Sequence, residues 1–291
     1  MPLGFETAMS EITLVLFTTL APSGAIACAI VAAVLIAAPL GEMERSRINR
    51  ALCIPLIVAM AGLVASATHL GSPANALYVF SGIGRSPLSN EVFSAVLFLA
   101  ACGLYWLFCF SEKQHIKLQK AWCAFVIVSA LACVGAIALA YDAPTIATWN
   151  TPFVPANVWL SACSGGPLLA MAALRVARAV CLHTVASKAL LGVSAAALAA
   201  NAACLALQNA QLGGIWNGYG DAPGLVPWYP AMIVFYVVTG AVALVATVCS
   251  LRKGGLPSVA RLAACNTLFF MGLFVVRFGF YMMHMTYGLG I

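Results

Sequence analysis

Residues 12–50 read ITLVLFTTLAPSGAIACAIVAAVLIAAPLGEMERSRINR. From Ile12 to Leu40 no side chain is charged, and then Glu42, Glu44, Arg45, Arg47 and Arg50 arrive together. About 20 apolar residues suffice for a helix to cross roughly 30 Å of hydrocarbon. This run exceeds that, and it is far longer than the ~7–15 apolar residues of a secretory signal core. Only Glu6 and Glu11 carry charge before it, so the basic leader of a signal peptide is missing. The first helix is therefore expected to stay as a signal anchor, spanning a membrane and ending at a cluster of arginines.

The rest of the chain repeats this pattern. With 63% hydrophobic and 8% charged residues, it falls far below the ~25% charge of a soluble domain. Long continuous apolar runs exclude a β-barrel, whose strands alternate. Eight spans can be drawn, at about 12–40, 51–70, 91–110, 121–141, 153–175, 185–208, 228–250 and 259–284. The expected fold is an all-α integral membrane protein, 1–291 forming one transmembrane domain of eight helices. Short connections make it an antiparallel bundle.

Orientation follows from lysine and arginine, which concentrate in cytoplasmic loops. Arg45, Arg47 and Arg50 lie in the first connection, and Lys113, Lys117 and Lys120 in the third. Arg175, Arg178 and Lys188 belong to the fifth, and Arg252, Lys253 and Arg261 to the seventh. Twelve of the fourteen basic residues thus share one side. The opposite side holds Arg85, and Arg277 falls within the last apolar run. Both termini are expected outside, in a multi-pass protein of the cytoplasmic (inner) membrane. The net charge of +6 is then a topology signal, with no nucleic-acid partner implied. The inner loops read as ordinary solvated charge.

Eleven cysteines include no C-x-x-C pair and fall almost entirely in apolar runs, where a thiol packs as a small hydrophobe. Two haems would need four membrane-embedded histidines. Of the four present, His115 and His183 sit among inner-side charges, leaving His69 and His284 as one conceivable outer pair.

The unusual polar residues gather on the outer side. HLGSPANALYVFSGIGRSPLSNE, from His69 to Glu91, joins the second and third spans. An ionisable group at membrane depth is by default a functional candidate. Glu91 could accept a proton from a quinol hydroxyl, or be a carboxylate favoured at a helix start. His69 could bond a quinol oxygen and take its proton, or end the second helix. Gly71, Ser72 and Pro73 would turn the chain over such a site, with Asn90 beside it. Arg85 reads equally well as a solvated loop cation. Arg277, Tyr281 and His284 share one face of the last helix. Arg277 needs a partner there, and Glu91 is the candidate, in a clamp between the third and eighth spans. Gly165-Gly166-Pro167 marks a kink or a close helix contact in the fifth span.

Several linked motifs carry a resemblance over nearly the whole chain. His69-Leu70-Gly71-Ser72-Pro73, Leu88-Ser89-Asn90-Glu91, Gly165-Gly166-Pro167-Leu168-Leu169 and Arg277-x-x-Phe280-Tyr281-x-x-His284-Met285-Thr286-x-Gly288 resemble the membrane anchor subunit of bacterial dimethyl sulfoxide reductases. The resemblance implies eight helices with both ends outside, and a menaquinol site near the outer face without haem. It puts the functional histidine and glutamate on His69 and Glu91. It also implies two partners, a ferredoxin-like subunit with four [4Fe–4S] clusters and a molybdopterin catalytic subunit. Asn75 departs from the pattern, in which arginine often follows HLGSP; Arg85 is a possible replacement.

The combined expectation is a quinol-oxidising anchor of a molybdoenzyme complex. The quinol would sit among His69, Gly71, Ser72, Arg85, Asn90, Glu91, Arg277, Tyr281 and His284. Two rivals stand beside it: a secondary transporter, which would place its site at mid-membrane, and a purely structural anchor without a quinol site.

Overall fold

The computed structural model describes residues 3–69, 73–111, 115–183, 185–218, 220–252 and 256–286. Its elements are α1 (Leu3–Ser10), α2 (Ile12–Ala37), α3 (Glu42–Ala51), α4 (Cys53–Thr68), α5 (Pro87–Phe108), α6 (Ile116–Ala140), α7 (Phe153–Val176), α8 (Val185–Leu212), α9 (Ala222–Leu225), α10 (Tyr229–Arg252) and α11 (Val259–Met282). Short 3-10 helices at Pro73–Gly82 and Val180–His183 fill two connections. Among the described residues there is no strand beyond two isolated bridges, Ile146 with Thr286 and Trp216 with Asp221.

Among the described residues, eight helical segments are long and apolar enough to cross a membrane: α2, Glu42–Thr68, α5, α6, α7, α8, α10 and α11. The second begins well before residue 51, because α3 and α4 follow one another with only Leu52 between them. The third begins at Pro87, four residues earlier than expected. Ser86 is extended and its side chain accepts from Ser89 N, while Pro87 at the first helical position needs no N–H partner. The fourth also starts earlier, at Ile116, and the sixth runs on to Leu212.

α2 and α7 form the centre. Burial reaches 67% along the most apolar stretch of α2 and 78% along that of α7, against 28–44% in the other spans. α2 packs on α4, α6, α7 and α11. Glycines permit the closest of these approaches. A Cβ on Gly24 would come within 2.6 Å of Ala59 N, and one on Gly166 within 2.6 Å of Ile26 Cγ2. Gly165-Gly166-Pro167 is therefore a close helix contact inside a continuous α7. The peripheral helices turn Ile57, Val64, Leu104, Leu107, Val128, Leu139, Val242 and Val245 outward. Apolar faces on both sides of a helix suit a lipid surround.

One end of the bundle is basic, and its charge is not simply solvated. Arg45 is only 3% exposed and donates to Leu35 O at 3.0 Å. Arg47 donates to Ala177 O, and Arg175 to Pro257 O. Glu44 accepts from Val180 N at 2.7 Å. Arg45, Arg47 and Glu44 thus satisfy backbone groups that helix ends leave open, and Arg175 holds the connection before α11. That corrects the expectation of ordinary solvated loops.

A polar cluster at the opposite end

The opposite end is held by the segment between α6 and α7. Ala147 N donates to Met285 O at 2.9 Å, Thr148 Oγ1 to Met283 O at 2.5 Å, and Trp149 Nε1 to Phe280 O at 3.3 Å. Asn217, from the connection after α8, donates to Thr286 O. Carbonyls at the end of α11 and just beyond it are thus satisfied by two loops, which fixes the chain around His284.

Glu91 lies on this end, as the fifth residue of α5 and 5% exposed. Ser86 does the capping, and Asn90 Oδ1 accepts from Gly84 N at 2.7 Å, closing its own loop. The helix-start reading of Glu91 therefore fails, since its carboxyl sits one turn in. Among the described residues that carboxyl has no hydrogen-bond partner. The neighbour that reports its position is Tyr141, just beyond α6. Burial first, then Tyr281 and the Glu91 carboxylate, hold the Tyr141 phenol well above its ordinary pKa, while Arg277 acts the other way. Tyr141 also makes edge contacts with the rings of Phe280 and Tyr281.

His69 ends α4 and meets a carboxylate that composition alone left unassigned. Its Nε2 stands 3.2 Å from Glu11 Oε2, with 42% of the His69 side chain and 30% of the Glu11 side chain exposed. Glu11 sits between α1 and α2. It also bears on His284, whose pKa falls below its ordinary value through burial, with Glu11 opposing. The His284 ring lies 5.0 Å from Trp149, edge to face. Trp149 in turn stacks on Phe280 at 4.7 Å and touches Tyr141 and Tyr281. One indole thus bridges the histidine–carboxylate group and the Glu91–tyrosine group.

Arg277 does not pair with Glu91. It is 4% exposed and donates to Asn157 O at 3.1 Å and to Ser161 Oγ at 2.5 Å, both on α7. The expected clamp between the third and eighth spans is instead a tie between the fifth and eighth. Tyr281 OH donates to Leu14 O on α2 at 3.2 Å. Arg85 stays exposed and donates to Ser81 O in its own loop. Gly71 and Ser72 lie outside the described residues.

The end therefore unites Glu91, Tyr141, Tyr281 and Arg277, and beside them His69, Glu11 and His284. Glu11, Tyr141 and Trp149 were not singled out from sequence. The available signal was topological, since the start of the first span and the end of the second share a face.

Comparisons with known proteins agree with this architecture. The family model for "DMSO reductase anchor subunit (DmsC)" matches residues 5–289. The protein is 33% identical over 250 residues to the YnfH subunit of an anaerobic dimethyl sulfoxide reductase of Escherichia coli, covering 86% of this sequence and 87% of that one. It is 32% identical over 231 residues to the C subunit of the same organism's anaerobic dimethyl sulfoxide reductase, covering 79% of each. The C subunit of the Haemophilus influenzae anaerobic dimethyl sulfoxide reductase is 28% identical over 288 residues, covering 98% of this sequence and 99% of its own. With eight helices among the described residues long and apolar enough to cross a membrane, and a family match along almost its whole length, this multi-pass inner-membrane protein belongs to the DMSO reductase anchor subunit family.

Proposed function

We propose that the protein anchors a dimethyl sulfoxide reductase-like complex and oxidises menaquinol at the polar end. The observation that carries this reading is Glu91, a buried carboxyl one turn inside a membrane helix with no hydrogen-bond partner among the described residues. A carboxylate there is costly unless something uses it. Oxidation of a quinol releases two electrons and two protons, and a base must stand within hydrogen-bond reach of each hydroxyl. Glu91 takes one proton. His69 takes the other, and the adjacent Glu11 stabilises the resulting imidazolium at the solvent-exposed rim. Tyr281, Tyr141 and Trp149 line the ring position, and His284 borders it. Arg277 acts from within the bundle, since one guanidinium nitrogen is tied to Asn157 O and Ser161 Oγ of α7.

The polar end is the outer face in this proposal, and both termini lie there. The reversed registers of paired helices support an antiparallel bundle. Gly24 faces Ala59 and Gly62 faces Ala21 between α2 and α4, while Gly272 faces Tyr236 and Gly279 faces Tyr229 between α10 and α11. Electrons leave to an iron–sulfur cluster of a docked ferredoxin-like subunit and then to a molybdopterin subunit. Exposed Tyr78, Trp216 and Trp228 suit that docking face.

The test is binding of a fluorescent quinol-analogue inhibitor to membranes carrying the assembled complex. Glu91→Gln and His69→Ala should lose binding while assembly persists. Unchanged binding in both variants would remove the site from this end.

A further inference from the structure

A second polar constellation lies deeper, where α7, α8, α10 and α11 meet, and quinol chemistry does not use it. A small cavity of about 10 Å³ is lined by Asn157, Asn201, Gln208, Tyr229, Arg277 and Phe280, among others. Three buried polar atoms on its walls have no hydrogen-bond partner among the described residues: Arg277 Nε, Asn157 Oδ1 and Asn201 Oδ1. All three residues are at least nine-tenths buried.

The surrounding bonds settle which amide atoms remain. Asn157 Nδ2 donates to Gln208 Oε1 at 2.7 Å, and Gln208 Nε2 turns toward the Met283 thioether. Ser164 Oγ spends its proton on Ser161 O, so it accepts from Tyr236 OH at 3.1 Å. The Tyr236 oxygen is then free to accept from Asn201 Nδ2, also at 3.1 Å. Both asparagines are left with their oxygens unmatched. The remaining demand is one donor and two acceptors, in a space of about one water molecule.

We propose that this is a binding site for a single water molecule. It accepts from Arg277 Nε–H and donates to Asn157 Oδ1 and Asn201 Oδ1, using three of its four hydrogen-bonding positions. A small anion suits the guanidinium but would face two amide oxygens. The water completes the solvation of a guanidinium that has no carboxylate partner among the described residues, and ties α7, α8 and α11 together. The network contains no carboxylate or histidine, so it holds the arginine in place and relays no proton.

The test is a map of the assembled complex at a resolution that shows ordered water, repeated on crystals grown with bromide in place of chloride. A single peak within hydrogen-bond distance of all three atoms, without anomalous signal in bromide, is the expected result. Anomalous signal at the peak would make the site an anion site and overturn the proposal. Direct contact among the three atoms, with no peak, would overturn it as well. Asn201→Leu should abolish the peak and lower the thermal midpoint of the complex by about 2–4 °C. Asn201→Asp keeps an oxygen acceptor at that position and should retain the peak. A peak that persists in Asn201→Leu, or is lost in Asn201→Asp, would contradict the assignment.

Discussion

Glu91 and Arg277 show how much a residue's meaning depends on its immediate partners. Both are ionisable groups within apolar runs, and opposite charge made them natural partners on paper. The fold gives Arg277 a carbonyl and a hydroxyl of α7 instead, which leaves the Glu91 carboxyl unclaimed. Changing that carboxyl to an amide keeps its size and removes its basicity. Glu91→Gln should therefore lower quinol-dependent turnover by about 10²–10⁴-fold, with complex assembly unchanged, as read from membrane content of the partner subunits. The His69–Glu11 pair is partly exposed, so it adds little stability, and its loss should appear in quinol binding alone. Arg45 is the opposite case, a buried cation finishing α2 at Leu35 O. Arg45→Ala should cost about 1.5–3 kcal/mol, seen as a lower unfolding midpoint with quinol affinity intact.

At the scale of elements, helix existence was plain from apolar length, while helix beginnings depended on capping chemistry. Ser86-Pro87 is a legible start signal, and it moves Glu91 from the cap into the helix. The glycines of α2, α4 and α7 were visible as residues, but the backbone each one admits was not. Adding a methyl at Gly166 drives it into Ile26, whereas Gly192 on α8 has open space around it. Gly166→Ala should destabilise by about 1–3 kcal/mol, and Gly192→Ala should be neutral or slightly stabilising. Comparing thermal midpoints of the two variants checks this; equal effects would mean that α2 and α7 do not meet as closely as described.

At the scale of the whole molecule, the two ends differ in kind. One is basic and bonded to its own helix termini; the other gathers carboxylates, histidines and aromatic rings. If the polar end faces outward, a thiol at Ser81→Cys should react with a membrane-impermeant reagent applied outside, and one at Ser111→Cys should not. Labelling of both, or of Ser111→Cys alone, would reverse or refute the topology. By itself the sequence determined the membrane class and the eight helices. Hydrocarbon thickness and the exclusion of unsatisfied backbone from lipid leave an apolar run of that length no other structure. It also determined the family, through motifs spread over the second, third, fifth and eighth spans. Tertiary structure alone decided the partners: Glu11 for His69, α7 for Arg277, Trp149 between the two polar groups. Those pairings join positions as distant in the chain as Trp149 and His284. Helix packing sets them, and no periodicity along a single span encodes which neighbour it will meet.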